Sequence, residues 1–218
     1  METPQPQEGP VRPVARPRVE ADSVFLNVPY DAEFRELYLA YIVGLIELGL
    51  TPKATLGIPS GSGRLGKILA LIQSCRSSIH DLSRCELDTN PPHPTPRFNM
   101  PFELGLAVAW SKLTPKKHDY FVFETVTRRA QKSLSDLNEA DLQVHQGAPS
   151  GVMRELCNAF VRRIKKPDVP QMLSAYHELS GLLPELMKQS GAQTVFEAGM
   201  FSRIITVSTE LRNRRLVH

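Results

Sequence analysis

The sequence lacks a long apolar run and contains few cysteines. No apolar stretch approaches the ~20 residues that a helix needs to cross a bilayer. The cysteines are Cys75, Cys85 and Cys157, and no two of them form a CxxC pair, which argues against a disulfide framework or a zinc site. Because the N-terminus also lacks the apolar core of a signal peptide, we expect a cytoplasmic protein with reduced thiols and no bound metal.

An excess of one charge sign is missing as well. The formal net charge is +3, from 26 basic and 23 acidic residues, and basic residues cluster only briefly, as at positions 162–166. Nucleic-acid-binding surfaces usually carry a basic patch or stripe, so nucleic acid is not an expected partner. With 218 residues, 41% of them hydrophobic, the chain is long enough for one α/β domain of roughly 150 residues with extensions.

What is present is an alternation of strand and helix patterns. Short apolar or β-branched runs predict strands at SVFLNVP, TPKATLGI, SSIHDLS, DYFVFE and DLQVH. Apolar residues at spacings of three and four predict helices over residues 34–46, from Leu65, over 101–112, over 128–135 and over 150–164. This alternation predicts an α/β fold with a parallel sheet of about five strands and helices on both faces.

Two segments fall outside this alternation. Residues 1–22 contain five prolines and almost no large apolar residues, which predicts a disordered tail. Residues 167–218 show only helical patterns, so we expect a C-terminal helical extension that packs on the α/β domain or mediates self-association. The α/β domain itself is predicted over residues 23–166.

Polar residues gather at the predicted ligand-binding edge of the sheet. In open parallel sheets, ligands bind beyond the carboxyl ends of the strands, near the point where the strand order reverses. Three stretches fall there: NVPYD after the first strand, HDLSR after the third, and RFNMPFELG at the end of a loop with four prolines. Their candidate site residues are Asn27, Pro29, Tyr30, Asp31, Asp81, Ser83, Arg97, Asn99 and Glu103.

A glycine-rich stretch, GSGRLG at residues 61–66, matches GxGxxG and nearly matches the phosphate-binding pattern GxxxxGK[ST]. Ile68 stands where the second pattern needs Ser or Thr for magnesium, and Pro59 separates the glycines from the preceding strand. We therefore favour a loop with two basic residues over a nucleotide fingerprint. A phosphate contact by Arg64 or Lys67 stays open.

Glu103 has two interpretations. Pro101 suits the first position of a helix, so Glu103 would lie in the first turn, where a carboxylate complements the helix dipole and can complete a capping box. In the second interpretation, the same carboxylate lies in a dry pocket beside Phe98, Met100 and Phe102. There it would stabilise or capture the cation that forms when an N-glycosidic bond breaks.

The aspartates and histidines nearby also allow two interpretations. Asp81 and Asp31 could hold ribose hydroxyls or share proton transfer. Asp31 could equally cap a helix, and Asp81 could begin an ordinary turn. His80 and His145 stand alone in the sequence, and we expect them to be core or edge histidines with satisfied hydrogen bonds.

Three further side chains complete the predicted site. Tyr30 could stack on a base or donate its hydroxyl, and it could also simply pack. Asn99 could orient a carboxylate or a sugar oxygen. Arg97 could pair with a phosphate.

The sequence resembles the superfamily that joins TIR domains with nucleoside 2-deoxyribosyltransferase-like domains, in the stretches VFLNVPYD, SSIHDLS and FNMPFELGLAVA. SDLNEADLQVHQG is similar to the later part of bacterial TIR-like proteins, and the likeness covers about residues 23–165. The sequence departs from the family in FLNVPYD, where TIR domains usually show Phe-x-Ser-Tyr, and in its proline-rich insertion. The resemblance implies a flavodoxin-like (TIR-like) fold.

The resemblance implies that Glu103 takes the place of the catalytic glutamate and that Asp81 matches the ribose-side aspartate of the transferase branch. Many TIR enzymes cleave the nicotinamide–ribose bond of NAD, often as effectors of bacterial anti-phage defence. We therefore expect an N-glycosidase with NAD or a related nucleotide as substrate and no cofactor. Catalysis would fall to Glu103 and Asp81. The expected substrate-binding residues are Asn27, Pro29, Tyr30, Asp31, Ser83, Arg97 and Asn99.

Other functions and partners are also implied. The same Glu103 could serve a nucleoside 2-deoxyribosyltransferase or a nucleotide N-ribohydrolase. The domain could instead be a non-enzymatic nucleotide sensor or a TIR scaffold. Because TIR active sites are often completed by a neighbouring subunit, we expect a homo-oligomer formed through TIR-like contacts or the C-terminal helices. A defence-system protein is a further expected partner.

Overall fold

Strands and helices alternate in a computed structural model that describes residues 18–58, 63–85, 87–88, 95–115, 117–135, 142–161 and 167–217. The strands are β1 (Glu20–Asn27), β2 (Thr51–Lys53), β3 (Cys75–Asp81), β4 (Leu87–Asp88), β5 (Thr95–Pro96), β6 (Asp119–Glu124) and β7 (Leu142–Val144). The helices are α1 (Arg35–Glu47), α2 (Arg64–Ser74), α3 (Asn99–Leu113), α4 (Arg129–Ser133), α5 (Pro149–Ala159), α6 (Val169–Ser190) and α7 (Ala198–Val217).

One parallel sheet has the strand order β2-β1-β3-β6-β7, which confirms the predicted α/β class. The chain runs outward from β1 to β2 and then returns across β1 to β3, so the order reverses between β1 and β3, as in flavodoxin-like sheets. The carboxyl ends of these two strands therefore border the crevice in which such sheets bind ligands. Helices α1 and α5 pack on one face of the sheet, and α2 and α3 pack on the other.

Helix α1 is apolar on all sides because it is covered on all sides. Every residue from Leu37 to Ile46 is buried, whereas a helix at the surface of a domain usually has one apolar stripe. The sheet and α5 cover its inner side, and α6 and α7 cover its outer side. Leu179 of α6 and Ile204 of α7 belong to the same hydrophobic core as α1. The expectation that the C-terminal helices pack on the α/β domain is confirmed.

Several element bounds differ from those that the sequence predicts. Strand β1 begins at Glu20, before the predicted start of order at Ser23. TPKATLGI forms only the short strand β2, because β2 lies at the edge of the sheet and its Pro52 has no N–H to donate. A single 3₁₀ turn follows at Thr55–Gly57. The proline-rich loop contains the short antiparallel pair β4–β5, and α5 ends at Ala159, before the predicted end at residue 164.

Parts of the predictions fall outside the described residues. They are the predicted disorder up to residue 17, residues 86 and 89–94 of the proline-rich loop, residues 61–62 at the start of the glycine-rich stretch, and the basic cluster at 162–166. Among the helices of the described ranges, none is both long and apolar enough to cross a bilayer.

Candidate functional site

Glu103 occupies a position of α3 that faces the core. Helix α3 begins at Asn99, before the predicted start, so Glu103 lies in the second turn and the first turn holds no acidic residue. The capping interpretation is therefore wrong. Met100, Leu104 and Ala107 are buried at the spacing of one helix side, and Glu103, which shares that side, is only 7% exposed.

Glu103 is buried, and its carboxylate has no hydrogen-bond partner among the residues that the structure describes. Burial raises the pKa of this carboxyl to about 7, and the Arg64 guanidinium nearby offsets that rise only in part. Arg64 Nη1 also donates a hydrogen bond to the carbonyl oxygen of Ile58 at 2.5 Å. Because burying a carboxyl without a hydrogen-bond donor destabilises the fold, a residue with these surroundings is a candidate for a functional role.

The apolar wall expected around Glu103 forms only in part. Met100 is 5% exposed, but Phe98 and Phe102 are 67% and 55% exposed, so they do not enclose the carboxylate as predicted. Asn99 is also exposed, and it lies one turn before Glu103 on the same side of α3. The site near Glu103 is therefore bordered by a buried apolar floor and an open, partly aromatic rim.

Asn27, at the end of β1, reaches across to α3. Its Nδ2 atom donates to the carbonyl oxygen of Met100 at 3.2 Å and to His80 Nδ1 at 3.0 Å. Met100 lies one helical turn before Glu103, so Asn27 and Glu103 are on the same side of the sheet and near the same end of α3. The structure thus brings these two predicted site residues together.

The loop after β1 is packed against a distant part of the chain. Pro29 is buried, and the Tyr30 hydroxyl donates to the carbonyl oxygen of Leu26 at 3.3 Å. The Tyr30 ring packs against Tyr38 and Phe196, with centroids 6.0 and 6.2 Å away. Burial is the main cause that raises the pKa of Tyr30. The packing role considered for Tyr30 is confirmed, and contact with a base stays a prediction.

Sequence reasoning missed the contribution of Phe196. This residue lies in the connection between α6 and α7, and nothing local in the sequence links it to the loop after β1. The packing of α6 and α7 on α1 brings it there. Tyr38 of α1 strengthens the connection, because its hydroxyl donates to the carbonyl oxygen of Val195 at 3.4 Å.

Asp81 lies on the opposite face of the sheet from Glu103, which corrects the expectation that the two carboxylates meet. Asp81 pairs in register with Phe123, whose side chain belongs to the core beneath α1. The preceding residue, His80, faces α3 through its bond to Asn27. Successive side chains of a strand point to opposite faces, so the two candidates are separated by the sheet.

Asp81 is the centre of a buried hydrogen-bond network. It accepts bonds from the Tyr41 hydroxyl at 2.6 Å, from His145 Nε2 at 3.0 Å and from the Ser83 backbone N–H at 2.8 Å. Burial raises the pKa of this carboxyl, but the bonds from these three partners outweigh burial and hold the pKa below its ordinary value. Asp81 and Ser83 therefore stabilise the carboxyl end of β3.

This network resembles a Ser–His–Asp triad in composition but not in geometry. Ser83 Oγ lies 3.1 Å from His145 Nε2, the same nitrogen that contacts Asp81. His145 Nδ1 accepts a hydrogen bond from the Gly147 N–H at 3.1 Å, so the ring proton is on Nε2. In a hydrolytic triad, the serine and the carboxylate contact different ring nitrogens. His145 is a satisfied core histidine, as expected, and because its Nε2 carries the proton, it cannot accept one from Ser83.

Asp31 and Arg97 are engaged with one another. Asp31 Oδ1 accepts a bond from the Phe34 N–H at 3.1 Å and caps the 3₁₀ turn that precedes α1, which confirms its capping role. Asp31 Oδ2 accepts a bond from Arg97 Nη1 at 2.7 Å. Arg97, predicted to meet a phosphate, therefore has its charge partly balanced by Asp31.

A cavity of about 740 Å³ opens on the Asp81 side of the sheet edge. Ser83, Arg84, Arg129, the start of α5 and part of α6 line it, and Glu103 does not. Arg129 was missed by sequence reasoning. It donates from Nη2 to the buried Glu124 carboxylate at 2.6 Å and to the Ser83 carbonyl oxygen at 2.5 Å. In the described part of the chain, no three His, Cys, Asp or Glu side chains are grouped as metal ligands.

Comparison with known proteins adds no family assignment. No protein-family model matches this sequence, and no curated protein matches it significantly. The fold and the surroundings of Glu103 are therefore the basis of any functional conclusion.

Proposed function

We propose that the protein is a TIR-like N-glycosidase that hydrolyses the bond between nicotinamide and ribose in NAD or a related nucleotide. The observation that carries the proposal is the Glu103 carboxyl, which is buried, has no hydrogen-bond partner in the described residues, and has a pKa raised to about 7 by burial. It lies beside the strand-order reversal, where open parallel sheets bind ligands. A carboxylate held in this way can interact strongly with a cation that forms beside it.

The proposed reaction breaks the C1′–N bond of the substrate. The electron pair of that bond moves to the positively charged nicotinamide ring, which leaves as neutral nicotinamide. The ribosyl carbon becomes an oxocarbenium-like cation, which the Glu103 carboxylate stabilises or captures. Water then adds its oxygen to C1′ and releases a proton, so the products are nicotinamide, ADP-ribose and a proton.

The residues around Glu103 suggest where the rest of the substrate lies. Asn27 and Asn99 are on the same side of the sheet and suit the ribose hydroxyls, and Tyr30 borders the base side. Arg64 suits the phosphate, because Arg97 is already paired with Asp31. Asp81 has no part in this arrangement, since its side chain points to the other face of the sheet.

The experiment is incubation of the purified protein with NAD, NADP and a set of deoxynucleosides, with products identified by mass spectrometry. Release of nicotinamide from NAD by the wild type, lost in Glu103→Gln, supports the proposal. Glu210→Gln is the matched control, because Glu210 is an exposed glutamate of α7. Base exchange on deoxynucleosides would favour the transferase function instead. Nucleotide binding without turnover, unchanged in Glu103→Gln, would favour a sensor.

We also propose a cellular setting for this activity. The protein would act in the cytoplasm as an anti-phage defence effector, activated by self-association through TIR-like contacts or the outer faces of α6 and α7, together with a defence-system partner. Release of NAD-derived products only above a threshold protein concentration would support activation by self-association. Activity independent of concentration would contradict it.

A further inference from the structure

A chain of buried hydrogen bonds runs beneath α3. His118 Nδ1 contacts the carbonyl oxygen of Cys75 at 3.0 Å, and its Nε2 contacts Ser78 Oγ at 2.9 Å. Ser78 Oγ also contacts His80 Nε2 at 2.9 Å. Ser78, His80 and His118 are 0%, 0% and 1% exposed, so water does not compete for these bonds.

The Cys75 carbonyl oxygen determines which group donates and which accepts in every bond of this series. A carbonyl oxygen only accepts, so His118 carries its proton on Nδ1 and accepts at Nε2. Ser78 must then donate its hydroxyl proton to His118 and accept from His80 Nε2–H. His80 is left with Nδ1 as an acceptor. Burial lowers the pKa of His80 to about 3 and also lowers the pKa of His118, so both rings stay neutral at physiological pH.

At the other end of this series of hydrogen bonds, His80 determines the orientation of the Asn27 carboxamide. Its two N–H groups donate to His80 Nδ1 and to the Met100 carbonyl oxygen, and neither partner, in this arrangement, can donate. The amide therefore cannot flip without losing both bonds. Its Oδ1 atom receives no bond from the described residues and is not among their fully buried unpaired atoms, and Asn27 as a whole is 4% exposed. Oδ1 is a fixed hydrogen-bond acceptor beside the Glu103 end of α3.

We propose that His80, Ser78 and His118 are positioning residues that hold the Asn27 carboxamide so that Oδ1 accepts a hydrogen bond from a ribose hydroxyl of the bound nucleotide. The inference rests on the proposed N-glycosidase function for the identity of the ligand. The three residues touch no ligand themselves. They act through Asn27, and all of their effect on the reaction should disappear when Asn27 is removed.

The first test is spectroscopic and does not depend on activity. Long-range ¹⁵N–¹H spectra of histidine-labelled protein should show His80 as the Nε2–H tautomer and His118 as the Nδ1–H tautomer at pH 7.5. Ser78→Ala removes the hydroxyl that couples the rings, and the His80 tautomer should become mixed. Ser77→Ala is the matched control, because Ser77 is a buried serine on the other side of the same strand. It should leave both tautomers unchanged.

The second test is a double-mutant cycle with NAD as the probe. Ser78→Ala should lower kcat/KM for NAD hydrolysis about 10-fold, as expected for loss of one well-aligned hydrogen bond. In the Asn27→Ala background, the same change should have no further effect, whereas general damage to the fold would lower activity in both backgrounds.

Specific results would overturn the inference. They are an Nδ1–H tautomer of His80 in the wild type, equal losses in both backgrounds, or no loss in either. If the wild type acts on no nucleotide, the proposed N-glycosidase function fails, and the ribose-acceptor role of Asn27 fails with it. The measured tautomers of His80 and His118 then show separately whether the series of hydrogen bonds orients the Asn27 carboxamide.

Discussion

Replacing Glu103 with glutamine should stabilise the folded protein at alkaline pH while it abolishes the proposed activity. Glutamine has nearly the same shape but carries no charge, so it removes the penalty of burying an ionised carboxylate. The sign follows from proton linkage. A carboxyl whose pKa is higher in the folded state binds its proton more tightly there, so wild-type stability is full below the unfolded pKa and declines as pH rises through the folded pKa.

The size of the effect follows from the surroundings of Glu103. Burial raises the pKa of this carboxyl from 4.5 to about 7, and Arg64 offsets only part of the rise. At about 1.4 kcal/mol per pKa unit, the ionised form destabilises the fold by roughly 3 kcal/mol at pH 8 and by under about 1 kcal/mol at pH 5. For a protein of this length, roughly 3 kcal/mol corresponds to an increase in Tm of about 6–12 °C.

The assay is chemical and thermal unfolding of the wild type, Glu103→Gln and the control Glu210→Gln at pH 5, 6, 7 and 8. The advantage of Glu103→Gln should increase across this range, and Glu210→Gln should follow the wild type. An advantage that does not change with pH, or a variant less stable than the wild type at pH 8, would refute the reasoning. Either result would mean that the carboxylate has partners that compensate for its burial.

Three further changes test the packing of the sheet and of α1. In urea titrations, Gly151→Ala should lower the free energy of unfolding by about 3 kcal/mol, because the new Cβ would overlap the carbonyl oxygen of His145. Gly66→Ala is the control, because Gly66 has open space around it, and it should be neutral or slightly stabilising. Tyr41→Phe removes the 2.6 Å bond to the buried Asp81 carboxylate and should lower the free energy of unfolding by about 1–3 kcal/mol; an unchanged urea midpoint would contradict the network. A chain that ends before α6 should not fold, because the outer face of α1 would be exposed; a sharp thermal transition in that truncation would show that the α/β part is independent.

The local pattern was enough to predict the fold class. DYFVFE has four aromatic or β-branched residues between two acidic ones, and it forms β6 at its predicted bounds. Apolar residues at spacings of three and four also predicted α1, but its burial on every side was not predicted. Both features depend on neighbours along the chain, and such neighbours are visible in the sequence.

The start of α3 could not be predicted in the same way. Pro101 indicated a first helical position, but the helix begins at Asn99. Asn27 of β1 donates a hydrogen bond to the carbonyl oxygen of the next residue, Met100. That small extension moves Glu103 from the first turn to the second, and from a capping position to a buried one. The observed start of α3 rules out the capping role, and the catalytic role stays a proposal.

Composition and periodicity alone established the alternating elements and the acidic residue near the start of α3, because both are properties of short stretches. Only the assembled sheet decided which polar residues share a site. His80 and Asp81 are adjacent in the chain, yet one faces Asn27 under α3 and the other faces Tyr41 under α1. The pleat of a strand sends neighbouring side chains to opposite faces, and which face each one takes depends on partners that no local pattern encodes.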